Sequence, residues 1–201
     1  MTATLTPTVE KDEALVLHFS RKMSGDEFYD FCMLNRDLNV ELTSEGDLII
    51  MPPTGMKTGN RNFELTGSFA VWARQDGTGL GFDSSSLFSL PNGAKRSPDL
   101  CWIRKERWDA LTDKEQEKFS PICPDFVVEL RSPSDSLKRL KKKLEEYVEN
   151  GAQLGWLIDP LKKTVHVYRP QAAVEILDDP ETISGEPLLP GFTLNVRALW
   201  N

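Results

Sequence analysis

Glu129 stands inside Phe126-Val127-Val128-Glu129-Leu130, an otherwise apolar run with the length of one core strand. An ionised carboxylate in such a run is costly unless a counter-charge, hydrogen bonds or a metal compensates it. Asp99 stands at the start of a second apolar run, Leu100-Cys101-Trp102-Ile103. If the two strands are neighbours, their acids converge on one hard cation, which takes oxygen ligands and keeps water at its remaining positions. A divalent ion held there neutralises a phosphate, stabilises a leaving oxygen and lowers the pKa of an attacking water. Those are the requirements of phosphodiester hydrolysis.

Cations stand close by in the sequence. Arg131 follows Glu129 by two residues and so projects from the same strand face, where it can hold a scissile phosphate or pair with Glu129 itself. Further on, Leu137, Leu140, Leu144, Tyr147 and Val148 define a buried helical stripe. At about 100° per residue, Lys141 and Lys143 flank that stripe on opposite sides, whereas Lys138, Arg139 and Lys142 point outward. Only the flanking lysines reach inward. The rest read as a solvated face with pairs such as Lys142 to Glu146, or as contacts to a phosphate backbone.

Other polar residues carry less. Glu64 is either a further metal or water ligand or an exposed helix residue, and Asp83 is either a ligand or a turn former at a strand end. His18 and His166 alternate with apolar neighbours and have no catalytic companion in the sequence. Cys32, Cys101 and Cys123 are widely spaced and read as small buried hydrophobes rather than as a zinc or disulfide framework. No G-x-S-x-G, P-loop, G-x-G-x-x-G or H-E-x-x-H pattern occurs, which weighs against acyl transfer, nucleotide binding and zinc proteolysis.

A regular scaffold must carry these side chains. Residues 1–14 read as a flexible arm, followed by a strand at Leu15 to Phe19. Ser24 with Glu27 has the form of a capping box and predicts a helix over 25–36. Val40 to Leu42 and Leu48 to Met51 flank the turn Ser44-Glu45-Gly46-Asp47 as a hairpin. Phe63, Leu65, Phe69, Trp72 and Ala73 recur at helical spacing up to Gly77. Strands follow around 79–83, 87–90 and 100–103, then a helical surface excursion over 104–120 and the strand 126–130. Ser134 or Asp135 caps a helix that stops at Asn150-Gly151, and Leu154 to Ile158 returns as a strand, completing a β-α-β crossover. Strands 165–168 and 174–177 and a final loop with Pro187 and Pro190 close the chain.

The 201 residues suit a single α/β domain, and 39% hydrophobic with 27% charged residues is ordinary for a globular protein. No apolar stretch is long enough to span a membrane, so a cytoplasmic location is expected. The net charge of -7 argues against sequence-independent wrapping of DNA but allows a local basic groove.

The segments TGNRNFEL (58–65), RSPDLCWI (96–103) and PDFVVELRSPSDSLKRLKKKLEEYVENGAQLGWLIDP (124–160), in that order, resemble the Uma-two family of restriction endonucleases over residues 15–170. That family is similar to a branch of the PD-(D/E)XK nuclease superfamily. The resemblance implies a restriction-endonuclease-like mixed β-sheet flanked by helices, here with an N-terminal helix and β-hairpin extension. It implies Asp99 and Glu129 as ligands of Mg²⁺, with Mn²⁺ as a substitute. Glu129-Leu130-Arg131 departs from the superfamily pattern, because arginine is effectively never a neutral base. Lys143, four residues before Tyr147, matches a helix lysine of the family and supplies the migrated cation. Glu64 matches a helix acid that accompanies the site. The implied activity is a metal-dependent endonuclease acting on nucleic acid, DNA first, with no membrane partner and a homodimer as a possible working form. The competing expectation is a catalytically impaired nuclease-fold module that binds nucleic acid or a protein partner.

Overall fold

The computed structural model describes residues 14–200; the expected arm lies outside the described residues except for Ala14, which is buried. The N-terminal part runs β1 (Leu15–Leu17), α1 (Gly25–Leu34), β2 (Asn39–Leu42), β3 (Leu48–Met51) and α2 (Met56–Asp76). The middle runs β4 (Gly79–Asp83), β5 (Phe88–Ser89), β6 (Lys95–Arg96), β7 (Leu100–Arg104), α3 (Lys105–Asp109), α4 (Asp113–Glu117) and β8 (Phe126–Leu130). The remainder runs α5 (Leu137–Glu149), β9 (Leu154–Asp159), β10 (Thr164–Tyr168), β11 (Glu175–Asp178), β12 (Thr182–Ser184), β13 (Thr193–Asn195) and a 3-10 turn, Val196–Leu199.

A six-stranded sheet in the order β11-β10-β9-β8-β7-β4 forms the centre, mixed because β8 and β9 are parallel while the other neighbours are antiparallel. The parallel step demands a crossover, and α5 provides it. Gly155 in β9 lets α5 lie close to the sheet: a Cβ there would sit 2.7 Å from Leu144 Cδ1. One face of this sheet packs on α2 through Leu65 and Phe69, and the other on α5 through Leu140, Leu144 and Tyr147. Glu129 sits on the second face, since its neighbours Val128 and Leu130 belong to the first.

A second sheet, β1-β3-β2-β6-β5, extends the expected hairpin to five strands. Its own core gathers Phe28, Val40, Leu42 and Leu48. The capping box at Ser24 is formed, and α2 stops at Gly77, whose φ of 68° is the left-handed cap that glycine favours. The chain passes from the second sheet to the central one between β6 and β7, through Ser97-Pro98-Asp99.

Three local expectations are corrected. Ser136, not Ser134 or Asp135, precedes α5, because the Asp135 carboxylate is engaged by the amide and hydroxyl of Ser132. The excursion over 104–120 contains two short helices rather than one. The final loop holds a hairpin, β12 with β13, whose buried Ile183 and Leu194 close one end of the core.

Candidate active site

The crossing between the sheets forms a cleft of about 450 Å³. Asp99 and Glu129 line it, together with Glu41 from β2, Arg96 from β6 and Lys143 and Glu146 from α5. Antiparallel pairing of β7 with β8, with Leu100 opposite Val128, brings the two predicted acids to one place as expected for neighbouring strands. Asp99 Oδ2 accepts the Leu130 amide at 2.7 Å, which fixes that carboxyl beside the end of β8.

Lys143 does reach inward. Its Nζ lies 2.7 Å from Glu41 Oε1 and 2.8 Å from Glu129 Oε1, and it donates to the Ser97 carbonyl at 3.2 Å. Arg96 completes the network, 3.1 Å from Glu41 Oε2 and 2.5 Å from Glu146 Oε2, while the Ser97 amide donates to Glu41 Oε1 at 2.9 Å. Glu129 Oε1 is buried and, despite its short distance to Lys143, receives no hydrogen bond of good alignment. That carboxylate is neutralised more than it is satisfied.

The electrostatics follow from this crowding. Burial pushes Asp99 up to about 6, with the Leu130 amide and Lys143 opposing. Asp99 keeps more solvent contact than Glu129, which is 3% exposed. Burial likewise raises Glu129, aided by the negative charges of Asp99 and Glu41 and opposed by Lys143. For Glu41 burial acts upward too, but Lys143 and Arg96 outweigh it and hold the carboxyl below its ordinary range. Burial pulls Lys143 down, yet Glu129 and Glu41 more than reverse this, so its ammonium stays charged. Lys143 is therefore a fixed positive charge and not a proton acceptor.

The fit to a metal rests on charge and ligand chemistry. With all groups ionised, the carboxylates of Glu41, Asp99, Glu129 and Glu146 face only Lys143 and Arg96, leaving a negative excess equal to one divalent ion. Among the described residues no group of three or more His, Cys, Asp or Glu side chains could hold a metal ion. Mg²⁺ does not need such a cage, since it is commonly bound through one or two carboxylates with water completing the shell. The residues present fit it in that way.

Two other nominated residues are placed elsewhere. Arg131 donates to Asp159 Oδ2 at 2.9 Å and to the Asp135 carbonyl at 3.3 Å, and does not line the cleft. It pairs neither with Glu129 nor with the acids of the site. Glu64 is exposed on α2 and also lies outside the lining. Asp83 accepts the amide and hydroxyl of Ser85 as a turn former. His18 pairs with Asp47 at 2.7 Å, and His166 is buried in β10.

Glu41, Arg96 and Glu146 were not singled out from the sequence. Glu41 lies between Val40 and Leu42, the same acid-in-an-apolar-run signal that picked out Glu129, but in a run too short to stand out. Glu146 follows Lys143 by three positions and so shares its helix face, a relation that was passed over in favour of a pair with Lys142.

Comparison with known proteins adds the lineage. The sequence model of the family described as "Uma2: Putative restriction endonuclease" matches residues 26–197. The chain is similar to the crystal structure of "a putative nuclease belonging to DUF820" from Anabaena variabilis, with a TM-score of 0.69 and 24% identity over 80% of this chain and 89% of that one. At that identity the likeness speaks for the fold, a nuclease-like one. Shorter stretches are similar to NADH dehydrogenase [ubiquinone] 1 alpha subcomplex subunit 4-like 2, 43% identical over 51 residues in Bos taurus and 42% over 50 in Homo sapiens. These cover 24% and 23% of this chain, which spans only 58% and 56% of those relatives, too little to group it with them. Among the described residues no helix is long and apolar enough to cross a membrane.

Proposed function

Given that the chain belongs to the Uma2 family, we propose that it is an endonuclease that hydrolyses phosphodiester bonds in DNA, with Mg²⁺ or Mn²⁺ held by Asp99 and Glu129. The observation that carries this reading is the pair of buried carboxylates beside a lysine that is kept charged in the floor of one cleft. Bound there, a divalent ion would supply phosphate neutralisation and an activated water.

The chain's own residues do the rest. The Leu130 amide fixes Asp99 through Oδ2, and Glu129 offers its carboxylate from β8. Lys143 supplies a preorganised charge to the scissile phosphate or orients the water, where a fixed cation stabilises developing negative charge. Arg139 and Lys142, which also line the cleft, meet the flanking phosphates. Arg131 and Glu64 lie outside the lining, so the chemistry is assigned to Asp99, Glu129 and Lys143.

One observation favours a second reading, a nuclease-fold module that binds nucleic acid or a protein partner without cutting. Lys143 already sits on Glu129 Oε1, the oxygen a metal would have to share. Incubation of plasmid and single-stranded DNA and RNA with the protein and Mg²⁺ or Mn²⁺ separates the two. Cleavage that is stopped by a chelator and by Asp99→Asn supports the endonuclease. Binding without cleavage across these substrates supports the module.

A further inference from the structure

The outer face of α2 carries a line of apolar side chains that nothing in the chain covers: Met56 is 94% exposed, Phe63 73% and Val71 59%. They recur at spacings of seven and eight, so they lie along one side of the helix, away from the buried Leu65 and Phe69. Gly59 and Gly67 stand one turn before and one turn after Phe63, and a Cβ at either would meet nothing within 4 Å. Glycine weakens a helix interior. No packing within the chain calls for the missing side chains at these two positions.

Charge on this face has a matching pattern. Lys57 and Glu64 follow Met56 and Phe63 by one residue each, so both lie on the same flank of the line. When two copies of such a helix pair antiparallel about a two-fold axis, equivalent flanks meet with opposite direction. Lys57 of each copy then faces Glu64 of the other, and Phe63 of each lies over the shallow surface at the other's Gly67. The face is complementary to itself in both charge and relief. We infer that α2 is the docking surface for a second copy of this chain, in an antiparallel, two-fold arrangement centred near Phe63.

Sedimentation of the full chain from micromolar to near-millimolar concentration tests this independently of any nuclease activity. The wild-type mass is expected to double with concentration, whereas Phe63→Glu stays a single copy. Lys57→Glu is expected to weaken association by about tenfold, and adding Glu64→Lys to restore it. Gly67→Leu, which favours the helix and so keeps the fold, is expected to abolish pairing by filling the hollow. A wild-type chain that remains single throughout overturns the inference and leaves this face to a different protein. So does a dimer that survives both Phe63→Glu and Gly67→Leu.

Discussion

Lys143 Nζ lies 2.7 Å from Glu41 and 2.8 Å from Glu129, so one ammonium on α5 joins acids from two different sheets. This relationship ties the site to the architecture. The second sheet contributes Glu41 and Arg96, the central sheet Glu129, and the crossover helix the cation between them.

Removing that cation therefore leaves two buried acids without their shared partner. Lys143→Met is expected to lower the unfolding free energy by ~3–5 kcal/mol, the usual range for breaking a buried pair from one side. Urea denaturation measures it. A variant as stable as the wild type would show that the three groups do not act as a unit.

Glu41 draws charge in the same direction twice. Glu41→Gln removes a negative charge from the site and leaves Lys143 to Glu129 alone, so both effects weaken a cation at Glu129. The expected outcome is at least an about tenfold rise in the Kd for Mn²⁺, equivalent to ~1.4 kcal/mol. Unchanged affinity in a folded variant would place the ion away from this network.

Much of this was legible in the sequence, for a physical reason. Asp99, Glu129 and Lys143 could be picked out because each breaks an apolar pattern, and such breaks must be compensated. The four-residue β2 gave Glu41 too little apolar context to be noticed. The partner of Arg131 could not be read at all, because alternation gives the face of a strand but not its neighbour, and Asp159 lies on β9. The strands β12 and β13 were hidden by their three-residue length and by the prolines and glycines between them. The cross-sheet position of the cleft depends on β6 pairing with β2, a contact of one residue pair with no local signature.

Arg131 offers a direct separation of stability from chemistry. Its partner Asp159 is fully buried, so Arg131→Ala is expected to destabilise the fold by ~3–5 kcal/mol while leaving cleavage per folded molecule unchanged. Thermal melts and cleavage rates on the same preparation test this. A normal melt with lost cleavage would move Arg131 into the chemistry.

The pH dependence has a definite sign. The Asp99 carboxyl is raised by burial from 3.8 to about 6, so without metal its stabilising contribution is fully present below 3.8 and lost as pH rises through about 6. Glu41, held low, contributes in the opposite sense, present above 4.5 and lost as pH falls through its lower folded value. The Asp99 part is isolated as the difference between wild type and Asp99→Asn. A divalent ion requires the ionised carboxylates, so its affinity is expected to rise as pH passes through about 6, with proton release on binding. Calorimetry in buffers of different ionisation enthalpy measures that release; an affinity flat across this window contradicts the assignment of Asp99.

The most direct test of the central claim is a calorimetric Mn²⁺ titration of the wild type and of Glu129→Gln, both folded and prepared identically. The account predicts one divalent site in the wild type that is lost or greatly weakened in the variant. Equal binding by both proteins, or no binding by either, would contradict a metal centre built on Asp99 and Glu129.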